Sequence, residues 1–158
     1  MAYTIATIKP ICEELHQEGK TLVLVTGFFD LLHVEHINFL KKAEAVGDVL
    51  VVGVESDARA RKLKGEGRPV EPQQRRGEHI MDLGLADYCV LLGDDFDNIV
   101  AYKSLLDAVR PNTYAVSSHT DHQENKQKLV EEYGGKLMVV HDWNPEVSTT
   151  QLISQNHV

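Results

Sequence analysis

Hydrophobic positions along the chain follow two alternating patterns. Short apolar, largely β-branched runs predict five strands: TLVLVT (21–26), DVLVVGVES (48–56), YCVLL (88–92), TYAVSS (113–118) and KLMVV (136–140). The second run is apolar almost throughout, as expected of a strand covered on both faces. Between the runs lie segments with helical spacing. Residues 34–45 place Ile37, Leu40 and Ala43 or Ala45 on one face, and 72–83, 99–109 and 123–133 read as further helices. Pro111 closes the third of these and Gly134-Gly135 the fourth. Residues 4–18 form an additional helix ahead of the first strand, with Gly19 at its C-terminal cap, and a short helix is expected to start near Ser148.

Strand and helix alternate five times, which predicts an α/β fold: a doubly wound, five-stranded parallel sheet with helices on both faces and an added N-terminal helix. No repeat or linker divides the chain, so residues 1–20 are taken as a helical extension and 21–158 as one domain. In such sheets, ligands bind beyond the C-terminal ends of the strands, at the topological switch point. That directs attention to residues 27–36, 55–68 and 117–122 and to the segment after Val140.

Composition narrows the function classes. The chain has 158 residues, 42% of them hydrophobic and 25% charged, which excludes a disordered or fibrous protein. No apolar run approaches the ~18–20 residues needed to span a bilayer. The N-terminus has charges and no signal-like apolar core, arguing against export, and two cysteines, Cys12 and Cys89, suit a reducing cytoplasm.

The net charge of −8 is unevenly spread. Residues 59–76 hold seven of the 16 Lys and Arg but only two of the 24 Asp and Glu. A globally acidic chain is a poor general binder of nucleic acid or anionic membrane. Its one basic segment suggests a focused anion site; the alternative is a solvated helix with its cations outward.

The densest chemistry lies after the first strand, in VTGFFDLLHVEHINFL (25–40). Gly27 permits close backbone approach, and a helix N-terminus offers free N–H groups to a phosphate. His33 and His36, three residues apart, share a helical face and can stabilise charge on a transferring phosphoryl group as cations or hydrogen-bond donors. An incidental pair of histidines is one alternative, and a metal site using His33, Glu35 and His36 is another. Asp94, Asp95 and Asp97 can be read as a metal cluster, although a turn with Asp97 or Asn98 as N-cap is the simpler reading. Trp143 either stacks on a base or sugar or packs on its own loop. Cys89 is assigned to the core, whereas His16, His79 and His157 are assigned to the surface.

GFFDLLHVEH resembles the G-T-F-D-x-x-H-x-G-H signature of the HxGH nucleotidyltransferase superfamily. SDARARKLKGEGRPVEPQQR (56–75), with Arg76 next, is similar to a segment of the adenylyltransferase domain of bacterial ADP-heptose synthases. VSTTQLI (147–153) resembles the C-terminal S-T-T-x-I-I motif of the same enzymes. The three blocks occur in the right order, and glycerol-phosphate cytidylyltransferases share the machinery. The resemblance implies a Rossmann-like fold and transfer of AMP or CMP from ATP or CTP, with Mg2+, to a sugar or polyol phosphate, releasing pyrophosphate. The displacement is in line, without a covalent enzyme intermediate.

Carried over residue by residue, the resemblance makes His33, His36 and Arg61 catalytic. It places Gly27, Phe28, Phe29, Ser117, Ser148, Thr149 and Thr150, with both histidines, on the nucleotide. It assigns Asp30, Lys64, Arg68 and Arg76 to the acceptor and its phosphate, while Arg59, Lys62 and Arg75 remain surface charges. Relatives are often dimers. Three positions depart from the pattern: Glu35 stands for the signature Gly, Phe28 for Thr, and Val116 for a Lys. These departures leave open a nucleotide-binding homologue that has lost turnover, and the acceptor's identity. Ser117, Ser118 and His119 are expected at the crevice rim.

Overall fold

The computed structural model describes residues 2–143. The elements run β1 (Ala2–Tyr3), α1 (Ile5–Gln17), β2 (Leu22–Gly27), α2 (Val34–Glu44), β3 (Val49–Val54) and α3 (Asp57–Lys64). They continue with α4 (Gln73–Asp82), β4 (Tyr88–Leu91), α5 (Ile99–Val109), β5 (Thr113–Ser117), α6 (Gln123–Glu132) and β6 (Lys136–His141). The sheet is fully parallel with order β1-β4-β3-β2-β5-β6, so it has six strands where the sequence pattern predicts five. The extra strand is a two-residue segment that pairs Ala2 with Cys89 and Tyr3 with Val90. Two residues carry no periodicity, and only the edge of β4 makes them a strand.

The helix boundaries follow local chemistry. Thr4 caps α1 by accepting from the Thr7 N–H, and Gly19, at φ +80°, ends it. The Gly19 N–H bonds to the His16 carbonyl and the Lys20 N–H to the Leu15 carbonyl, the paired pattern that satisfies a helix C-terminus. Asn98, not Asp97, caps α5. On α2, Ala43 is buried and Ala45 is an exposed C-cap, which resolves the alternative left by the periodicity.

Two apolar layers sandwich the sheet. One face is covered by α1, α5 and α6 through Ile8, Cys12, Leu105, Leu106, Val109 and Val130, against Leu22, Leu24 and Val51. The other is covered by α2 and α4 through Phe39, Leu40, Ala43 and Ile80, against Val23, Val25, Leu50 and Val52. All six residues of β3 are buried, which is why its sequence is apolar throughout. Cys12 and Cys89 are buried free thiols whose pKa burial pushes up to about 11, so they are packing residues. The strand order reverses between β2 and β5, and a crevice opens beyond their C-terminal ends.

Candidate functional site

The β2–α2 loop is built from unusual backbone. Phe29 and Leu31 both adopt φ +53°, a region that non-glycine residues occupy at a cost and that recurs at functional sites. The space that a Gly27 side chain would take is filled by the Phe29 ring, so this glycine admits the aromatic side chain at the base of the loop. The Phe29 ring in turn packs edge-on against His36, 5.7 Å between centroids.

His33 is the N-cap of α2 and His36 its third residue. The Glu35 N–H donates to His33 Nδ1 at 3.2 Å, and the His33 N–H donates to His36 Nδ1 at 3.3 Å. Each backbone donor fixes its ring in the Nε2–H tautomer. The rings stack with centroids 3.9 Å apart. His33 Nε2 is buried with no hydrogen-bond partner among the described residues. Burial lowers the His36 pKa to about 3, with His33 and Lys64 acting in the same direction; burial also lowers that of His33, against the opposing Glu35 carboxylate. Burial thus favours the neutral, hydrogen-bond-donating form of both imidazoles in the free protein.

The histidines face a cleft of about 1130 Å³, large enough for two small substrates side by side. Gly27, Phe28, Phe29 and Ser117 lie on it or on the adjoining pocket, as do Asp30, Lys64 and Arg68. Asp30 and Arg68 form a buried ion pair at 3.1 Å, and Asp30 also accepts from the N–H groups of Val70 and Glu71. This carboxylate thus ties the β2–α2 loop to the basic segment. The Lys64 ammonium sits 5.5 Å above the Phe28 ring, and burial, with Arg68 next to it, lowers its pKa.

Two of the arginines singled out in the sequence lie elsewhere. Arg61 is exposed on α3 and is not among the cleft-lining residues; Arg59, two positions earlier and so on the other side of the helix, is. Arg76 is fully buried and donates to the Phe28 carbonyl, the Glu71 carbonyl and Asp57, so its guanidinium braces the loop from beneath. Ser148, Thr149 and Thr150, like His157, lie outside the described residues.

Several other residues that the sequence singled out have defined surroundings, His16 and His79 being half-buried where surface positions were expected. Lys62 and Arg75 are exposed, the latter paired with Glu78. His16 bonds the Val109 carbonyl and His79 pairs with Glu71. Asp97 pairs with Lys62 in the turn before α5. Among the described residues, no group of three or more His, Cys, Asp or Glu is arranged to hold a metal ion, and no helix is long and apolar enough to cross a membrane.

The sequence did not reveal the far wall. Glu55, Arg59, Tyr102 and Lys126 converge there, with Glu55 and Arg59 paired at 3.3 Å and Tyr114 bonded to Thr26 on the floor. Burial raises the Glu55 pKa against the pull of Arg59, and burial lowers that of Lys126 against Glu55 and Asp121. Tyr102 and Lys126 stand alone in their segments, while Glu55 and Arg59 fall in the 55–68 loop that the strand pattern points to but carry no motif of their own.

The geometry defines a class: a doubly wound α/β protein whose switch-point crevice presents two imidazole donors at a helix N-terminus and a far wall of mixed charge. Residues 24–155 match the family described as cytidylyltransferase-like, and the chain belongs to that family. The "Bifunctional protein HldE" of Syntrophotalea carbinolica is 35% identical over 150 residues, 94% of this chain and 29% of that protein. Its namesake from Pelobacter propionicus is 37% identical over 138 residues, covering 87% and 27%. This chain thus spans less than a third of the length of these relatives. The solved lipopolysaccharide core biosynthesis protein from Thermoplasma volcanium GSS1 superposes with a TM-score of 0.63 at 28% identity, covering 80% of this chain and 98% of that one.

Proposed function

We propose that the chain transfers a nucleoside monophosphate, AMP in the first instance, from the magnesium complex of a nucleoside triphosphate to a sugar or polyol phosphate. An oxygen of the acceptor phosphate attacks the α-phosphorus, the bond to the β-phosphate oxygen breaks, and pyrophosphate leaves. The observation that carries this reading is the stacked His33–His36 pair, with its Nε2–H donors and an unpartnered His33 Nε2 among the described residues. Donors held in place before substrate arrives need no reorganisation as charge develops in the transition state. The α2 N-terminus adds its partial positive charge.

Lys64 and Arg68 supply positive charge beside the loop, and Asp30 orients Arg68. Ser148, Thr149 and Thr150 complete the triphosphate site in this proposal. Magnesium arrives with the triphosphate and screens its charge. The likeness of 56–76 to ADP-heptose synthases favours AMP and a sugar phosphate. The cytidylyltransferase-like family description favours a second reading, CMP transfer to glycerol phosphate or a related alcohol phosphate. Impairment by Glu35 is disfavoured, because its carboxylate is bonded to His141 and is not among the cleft-lining residues.

A pyrophosphate-release assay tests the proposal, with ATP, CTP, GTP or UTP, magnesium and a panel of sugar and polyol phosphates. Release with one triphosphate and a phosphorylated acceptor is expected. Binding of a triphosphate, read as a rise in melting temperature, with no release across the panel would refute it.

A further inference from the structure

Glu35 sits in the first turn of α2 between the two histidines, and its carboxylate is buried. It accepts from His141 Nε2 at 2.6 Å. On the other side of the same ring, His141 Nδ1 lies 2.9 Å from Lys42 Nζ. An ammonium has only protons to offer, so Nδ1 is the acceptor there and Nε2 carries the hydrogen given to Glu35. One imidazole at the end of β6 thus bridges a cation and an anion seven residues apart on α2, positions that share a helical face.

The residues just past His141 give this bridge a functional role. The chain runs directly to Trp143, whose indole meets His33 and His36 edge-on, each at 5.4 Å, and His141 at 6.0 Å. The Trp143 backbone N–H donates to Ser118 Oγ, and that hydroxyl donates to Asp142, so the β5 end secures the same short segment from the opposite side. Trp143 lines both the large cleft and the smaller pocket beside it.

We propose that Glu35 and His141 are a positioning pair that holds Trp143 against the stacked imidazoles, so that the indole is already a wall of the nucleotide site when substrate arrives. The proposal rests on the nucleotidyltransferase reading for its kinetic consequence, but not for its geometry. It also accounts for a carboxylate beside a site for a polyanion: Glu35 is held by His141 and lies in the first turn of α2, where the helix dipole favours negative charge.

Trp143 is the only tryptophan in the chain, so intrinsic fluorescence reports its position directly. In Glu35→Ala the emission should move to the red with the far-UV circular dichroism unchanged. The KM for the active triphosphate should rise about tenfold while kcat changes less, the pattern of lost ground-state binding. Glu35→Gln, whose amide oxygen still accepts from His141, should restore emission and KM. A folded Glu35→Ala protein with wild-type emission and KM overturns the proposal. So does a Glu35→Gln protein as impaired as the alanine variant, which would make charge rather than tethering the operative property. Should Glu35→Ala fail to fold, His141→Gln is the alternative: it loses the aromatic contact with Trp143, and unchanged emission in that folded variant is equally fatal. If no triphosphate is turned over, the emission measurements still decide the tether, and only the functional reading fails.

Discussion

His33 and His36 lie ring against ring, 3.9 Å apart, each with Nδ1 tied to a backbone N–H and Nε2 left to donate. Two cations would repel at that distance; two neutral rings do not, and burial keeps them neutral. Replacing His36 with alanine should therefore leave the fold intact and lower turnover by about 10²–10³-fold, the cost typical of removing one positioned donor. Pyrophosphate release checks this, with circular dichroism as the folding control. An unchanged rate would exclude the proposed mechanism.

The depressed His36 pKa has a consequence for stability. Folded, the ring titrates at about 3; unfolded, at its ordinary 6.5. Between those values the unfolded chain binds more protons, so stability rises with pH across that window and is lost as pH falls from 6.5 toward 3. From pH 6.5 to 5 the loss should be on the order of 2 kcal/mol. His33 adds to it in the same direction. Urea midpoints measured across this range should show the slope, and His36→Asn should flatten it.

Arg76 is a structural brace in a segment that otherwise looks like a phosphate clamp. It is fully buried, with the Phe28 and Glu71 carbonyls and Asp57 as acceptors. Arg76→Met would strand those acceptors, and should lower the unfolding free energy by about 3–5 kcal/mol, the range for breaking a buried charged network. Chemical denaturation measures this directly. A loss below about 1 kcal/mol would favour a ligand-binding role for Arg76 instead.

Arg59 and Arg61 make a paired comparison. Arg59 lines the cleft and pairs with Glu55, whereas Arg61 is exposed away from it. Arg59→Ala should raise the KM for the phosphorylated acceptor by about tenfold, roughly 1.4 kcal/mol, and Arg61→Ala by clearly less. Steady-state kinetics with the acceptor varied distinguishes them; the reverse order would restore Arg61 to the catalytic role implied by family resemblance.

Much of the fold was legible because it depends on near neighbours. The β-branched runs, a cap at Asp97 or Asn98 and the stop at Gly19 each involve a few adjacent residues. β1 was not legible, because a two-residue strand exists only through its partner. In the site, the loop from Gly27 to His36 could be read directly, since its chemistry is contiguous. The basic segment was read correctly as a concentration of charge and incorrectly in its details. Arg59 and Arg61 look equivalent in a string, and only the winding of α3 beside the crevice separates them. Glu35 was ambiguous for a similar reason: its partner, His141, is 106 residues away.

Amino-acid order alone was enough for the α/β alternation, the location of the crevice loops and the pair of histidines at a helix start. Those features arise from periodicity and local hydrogen bonding, which act over a few residues. Folding in three dimensions decided which cations meet the cleft, which are buried as braces, that burial lowers the pKa of both imidazoles, and that Glu35 is bonded to His141. Those outcomes depend on burial and on partners brought together by β-sheet pairing, and neither is a property of any one segment of the chain.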